Sequence, residues 1–188
     1  MLGNYKNKLN VKGSAKSGSQ AIMQTKHQHV FQVDAYDPDG NHKWTDFIYN
    51  TVVNEGLDDI LDKYYKGSSY TAAHYIGLAD STPSFSAGDT LGASANSWSE
   101  VTGYDEASRQ DFTPGTVSSQ SVDNSASKAS FTITSDSTTI GGAFVATDNT
   151  KGGDTGVLVG GGAFSGGDKT LGSGDTLSVQ VTASASSS

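Results

Sequence analysis

The chain reads as mainly β: an antiparallel β-sandwich or jelly roll carrying one amphipathic α-helix, about residues 52–66, and an extended N-terminal arm. Three observations lead there. Glycine is abundant at 23 residues against only 3 prolines, and serine and threonine are plentiful. That mixture favours short strands joined by tight turns. Apolar and polar residues alternate strictly over Phe31–Tyr36, and later apolar runs recur about every dozen residues between Gly, Asp, Asn and Ser clusters, as in sandwiches. One segment alone has helical periodicity. A length of 188 residues suits one core with an appended arm, so we expect an arm over 1–27, one domain over 28–184 and a polar tail over 185–188.

The arm stands apart by charge. Lys6, Lys8, Lys12, Lys16 and Lys26 fall in the first 29 residues with no acid. The remaining 7 basic and 20 acidic residues then leave −13 on the rest of a chain whose net charge is −8. Basic segments bind acidic surfaces or nucleic acid. This one has no arginine and a single aromatic, Tyr5, which serves base stacking and bidentate phosphate contact poorly. Docking on acidic protein surface, neighbouring copies included, is the expectation.

From Gln28 to Tyr36 and from His42 to Phe47 the alternation predicts two strands of a hairpin, turned by "DPDGN". In "NTVVNEGLDDILDKYYKG", Val53, Leu57, Ile60, Leu61 and Tyr64 share one helical face, expected to meet the core. Asn50 or Asn54 would cap its start, and Lys63, Lys66 and Gly67 mark its end. "YIGLA" at 75–79 is a buried strand, and 80–96 a Ser/Gly-rich loop. Further strands are expected over 115–122, 128–135, 140–147, 156–164 and 176–183.

Chemistry is harder to find. The Gly/Asp-rich stretch 151–184 suggests calcium, yet its "GGD" and "GSGD" clusters do not recur at nine residues, the period a calcium-binding β-helix requires. They read as turns. "DPDGN" places Asp37, Asp39 and Asn41 as an EF-hand loop would. His42 then stands where glycine is needed and Ile48 where a bidentate glutamate is needed. His27 and His29 share one side of a strand and could meet His42 across the hairpin, without a carboxylate to complete a ligand set. We expect no metal and no cofactor. Trp44 with Asp46 and Trp98 with Glu100 are the candidates for a glycosidase-like acid pair; core or interface anchoring suits the tryptophans better. Arg109, among Asp105, Glu106 and Asp111, reads as a structural ion pair. The chain has no cysteine, hence no disulfide or thiol chemistry, and no run of about 18 apolar residues to cross a membrane.

The order of segments carries more. "DGNHKWTDFIYNTVVNEGLDDILDKYYKG", "YIGLADS", "GDTLGASANSWSEVTGYDEASRQDFTPG", "SVDNSASKASFTIT", "IGGAFVA", "GDTGVLVGGGAF" and "SGDTLSVQVTAS" together resemble small virion structural proteins of tailed bacteriophages, over residues 28–184. The resemblance implies a non-enzymatic virion component, a capsid cement or decoration protein bound to the major capsid protein and to copies of itself on a symmetric shell. It would be made in the host cytoplasm without a signal peptide, with no membrane and no direct nucleic-acid contact. Trp44, Trp98, Tyr104 and Phe112 are the expected interface anchors, with Lys6, Lys8, Lys12 and Lys16 reaching onto a neighbouring subunit. A tail, neck or fibre-associated protein is the viral alternative, and a carbohydrate-binding or adhesin module the alternative of another class.

Overall fold

Alternation at Phe31, Val33 and Ala35 makes a strand with one apolar face. In the computed structural model that strand, β1 (Thr25–Tyr36), is central to the first of two packed sheets. The structure describes residues 25–70, 73–94 and 96–187. Residues 1–24 of the sequence-predicted arm, with Lys6, Lys8, Lys12 and Lys16, lie outside them, and its last three residues, Thr25–His27, are the start of β1 because they pair with β13.

The hairpin forms as expected. Asp37 Oδ1 accepts from the amides of Asp39 (3.0 Å) and Asn41 (2.7 Å), so "DPDGN" is a side-chain-stabilised turn. It leads into β2 (His42–Tyr49), antiparallel to β1. On the other side β1 pairs with β13 (Thr176–Ser187) over twelve rungs, from Thr25 opposite Ser187 to Tyr36 opposite Thr176. The tail predicted at 185–188 is therefore strand as far as Ser187, because ladder hydrogen bonds need backbone and not apolar side chains. The far edge of β13 is shared by β7 (Ser121–Asp123) and β8 (Ala129–Thr132).

The second sheet runs β3 (Thr51–Val52), β11 (Leu158–Ala163), β10 (Gly142–Ala146) and β4 (Tyr75–Ala79). The free side of β4 takes β5 (Glu100–Val101) and β6 (Gln110–Asp111). A separate ribbon pairs β9 (Thr138–Ile140) with β12 (Lys169–Leu171); β12 arises inside a segment that reads as turn. The strand expected over 115–122 is mostly absent. Ser119 and Gln120 have φ of 49° and 58°, two successive left-handed residues that reverse the chain between Ser118 and Ser121.

Two apolar layers result. Between the sheets, Phe31, Val33, Leu177, Val179 and Phe131 face Ile76, Leu78, Ala143 and Val145, all buried. On the outer face of the second sheet, Phe144, Ala146 and Leu158 are covered by Leu91, Trp98 and the partly buried Phe85 from the 80–99 loop. Glycine makes that cover possible. A Cβ at Gly77 would strike the Phe144 ring and one at Gly161 the Phe85 ring, so the rings lie flat on bare backbone.

Candidate interaction site

Helix α1 (Asn54–Tyr64) follows β3 and closes one end of the sandwich. Its N-cap is Val53, extended at φ −83° and ψ 161°, with no side-chain cap. Neither expected asparagine caps it. Asn50 is drawn to the His29 ring, and the Asn54 amide donates to Ala87 O. Anchoring comes from two other residues. Glu55 Oε2 accepts the Leu158 amide at 3.0 Å, and Gly56 lies against Val159, whose Cα would be 2.8 Å from an added Cβ.

With glycine at the contact, the body-facing side of α1 is centred on Gly56 and Ile60, about 60° round from the centre of the expected face, of which Ile60 is the inner margin. Of that face, Val53 is buried, while Leu57, Leu61 and Tyr64 are 37%, 54% and 80% exposed. Tyr65 and Tyr70 are exposed as well, and the Tyr64 and Tyr65 rings meet edge to face with centroids 5.1 Å apart. Leu57, Leu61 and Tyr64 of the stripe that periodicity assigns to the core thus form a surface ridge, with Val53 and Ile60 turned toward the body. Asp58, Asp59 and Asp62 accompany it, with Asp62 paired to Lys66 at 3.0 Å.

Beneath the ridge is a cleft. A cavity of about 370 Å³ is lined by His27, His29, Ile60, Tyr70, His74 and Phe112, among others, and a neighbouring one of about 390 Å³ shares Ile60, Tyr70 and His74. His27 and His29 continue the inward row of Phe31 and Val33 past the end of the core, opposite Ala185 and Ala183. Asn50 Nδ2 donates to His29 Nδ1 at 2.9 Å, which leaves the ring proton of the neutral tautomer on Nε2. Burial, helped by His74 and His27 nearby, pushes the His29 pKa down to about 4. His74 is also lowered by burial, against the opposing pull of Asp59. His42 takes no part. It stands at the far end of β1, edge to face on Tyr36 at 5.6 Å. Among the described residues, no group of three or more His, Asp or Glu side chains is placed to hold a metal ion.

The opposite flank is held by internal polar bonding around a further cavity of about 370 Å³, lined by Leu91, Trp98, Glu100, Arg109 and Phe144 among others. Arg109, 1% exposed, donates from Nε and Nη2 to the two Glu100 carboxylate oxygens at 3.0 and 2.7 Å. It also donates to Asp148 O at 2.9 Å and Gly153 O at 2.7 Å. Its partner is thus Glu100, nine residues back, and none of the adjacent acids. Trp98 Nε1 donates to Asp89 at 2.9 Å, and its ring stacks on Phe85 with centroids 4.4 Å apart. Burial would raise the Asp89 carboxyl, but the Trp98 and Ser86 hydrogen bonds outweigh it and hold it below the usual range.

These placements revise the expected anchors. Trp98 is 7% exposed and Tyr104 2% exposed; both are core, held inward by ring contacts and, for Trp98, by its bond to Asp89, while the Tyr104 hydroxyl is buried without a hydrogen-bond partner among the described residues. Tyr104 packs edge to face on Phe131, with Lys151 Nζ 4.3 Å from its ring centroid, and burial pushes its phenol up. Trp44 and Phe112 are partly buried against the inner core, Trp44 meeting Phe164 edge to face and Phe112 lining the cleft. Asp46, paired in sequence with Trp44, is held by Ser165 and Gly166 and by Lys169 at 2.8 Å. Asp46 and Glu100 are therefore each committed to internal partners. The ridge and the His29–His74 meeting were missed; the adjacent tyrosines of "KYYKG" were the one local signal, since a helix face containing both is too wide to bury.

Comparison of the chain with known protein families, curated proteins and solved structures found no match.

Proposed function

We propose that the chain is a non-enzymatic structural protein of a tailed-bacteriophage virion, most simply a cement or decoration protein that binds and stabilises the major capsid protein shell. The observation that carries an associating role is the Leu57–Leu61–Tyr64–Tyr65 ridge, apolar and exposed on a body whose other large rings are mostly packed. Such patches mark interaction surfaces. The order of sequence segments from 28 to 184 supports the virion setting, and the internal engagement of Asp46 and Glu100 favours association over hydrolysis. On a symmetric shell, many weak copies of one contact add by effective concentration.

The test is to locate the protein on purified particles by electron microscopy. Density over the capsid lattice is expected. Density confined to the tail or neck would replace the shell reading with the tail reading, and absence from particles would end both. A second reading has one observation in its favour. Phe47 and Tyr49, 41% and 66% exposed, lie on the outer face of the first sheet, as aromatics of a carbohydrate-binding module do. Glycan-array binding abolished by Tyr49→Ala would establish it.

A further inference from the structure

We propose that in the free protein residues 1–24 fold back onto their own body, laying the lysine-rich segment along helix α1 and its apolar residues over the ridge and cleft.

Three features of the molecule converge on this occupant. The first is position. β1 begins at Thr25, and His27, two residues on, already lines the cleft together with Ile60 and Tyr70. The described chain therefore starts beside the cleft, and Ile22 and Met23 are the apolar residues nearest to it in sequence. The second is charge. The segment holds Lys6, Lys8, Lys12 and Lys16 and no acid, whereas α1 presents Asp58, Asp59 and Asp62. Asp58 and Asp59 have no ion-pair partner among the described residues. The third is pattern. In "YKNKLNVK", Tyr5, Leu9 and Val11 fall on one side of an extended chain and Lys6, Lys8 and Lys12 on the other. That pairing of an apolar with a cationic side matches a ridge of Leu57, Leu61 and Tyr64 flanked by aspartates.

Length permits it. An 11-residue helix is about 16 Å long, spanned by about five extended residues at roughly 3.3 Å each. Tethering Tyr5–Lys12 by fewer than 20 residues to Thr25 also gives a high effective concentration, which favours the chain's own body over a second copy in dilute solution. The inference stands apart from the virion reading, since it concerns the isolated chain.

Zero-length carbodiimide coupling of the full chain, mixed from unlabelled and ¹⁵N-labelled protein at low micromolar concentration, tests it. Arm lysines should couple to Asp58, Asp59 or Asp62, with both halves of each linked peptide carrying the same label. Linked peptides of mixed label would show docking on a second copy and overturn the proposal, as would absence of any arm-to-helix link. As an independent measurement, Leu61→Ser changes an exposed side chain and should leave the body folded. It should speed tryptic cleavage at Lys6, Lys8, Lys12 and Lys16 by about tenfold, the factor set by losing one buried leucine contact. An unchanged cleavage rate would overturn the proposal as well.

Discussion

The 80–99 loop and helix α1 both cover apolar parts of the second sheet, and they do so in opposite ways. The loop brings Phe85, Leu91 and Trp98 down onto Phe144 and pairs Trp98 with its own Asp89, and beside it Arg109 pairs with Glu100 of β5. Helix α1 makes its contact through a glycine and turns its larger apolar residues outward. One flank covers its apolar sheet face with the loop itself, and the other leaves its apolar ridge exposed among the described residues. Large exposed side chains alone would not show this. The contrast does, because the same chain demonstrably seals apolar surface where sealing is needed.

The largest expected effect comes from breaking the loop-covered flank. Arg109→Ala strands the Glu100 carboxylate in the interior and should cost about 3–5 kcal/mol, read as a lower denaturant midpoint. A loss below about 1 kcal/mol would mean that water reaches the pair. The next concerns the cleft. Above pH about 6.5 His29 is neutral in both folded and unfolded chains, and its contribution is fully present. Between pH 6.5 and about 4, its folded value, the unfolded chain takes up a proton that the folded one refuses, with His27, His74 and Asp59 facing the site. Stability should thus fall by about 2 kcal/mol from pH 7 to 5, and His29→Gln should flatten that window. An equal slope in the variant would assign the loss elsewhere. The carboxylates of Asp34, Asp46 and Asp89, held low in the folded chain, lose their contribution only as pH falls below their ordinary range near 4.

Gly161→Ala should destabilise by about 1–3 kcal/mol through overpacking against Phe85, and Phe85→Leu should recover part of it in the double variant. The smallest effect belongs to the ridge. Tyr64→Ser should change unfolding free energy by less than about 0.5 kcal/mol. A loss above 1 kcal/mol would show the ring packed against the body and erase the contrast between the flanks.

The sequence made the strands legible wherever one face meets the core: the Phe31–Ala35 alternation and "YIGLA" matched β1 and β4 closely. It made α1 legible as a helix but not its orientation. Periodicity shows which residues share a face, while the surface that face meets depends on distant chain, here Val159 against Gly56. Arg109 misled for a similar reason. Adjacent acids look like its partners in sequence, but pairing of β5 and β6 with the same strand brings Glu100 to it. Short strands such as β12, with three residues and a ribbon partner, carry too little alternation to separate from turns. Of the interface, the charge contrast between arm and body was readable from composition, and the ridge only from structure.

The twelve-rung pairing of β1 with β13 has a kinetic consequence. The central pair of the first sheet joins strands separated by about 140 residues of chain, so closing it carries the largest loop entropy in the molecule. A ribosome that has made everything through β12 has still not supplied the strand on which β1, β7 and β8 converge. Until then Phe31, Val33 and Phe131 lack their neighbours. Folding of this domain therefore waits for its last strand and belongs to the slow, non-local class, with an exposed β1 edge as its hazard until β13 is supplied.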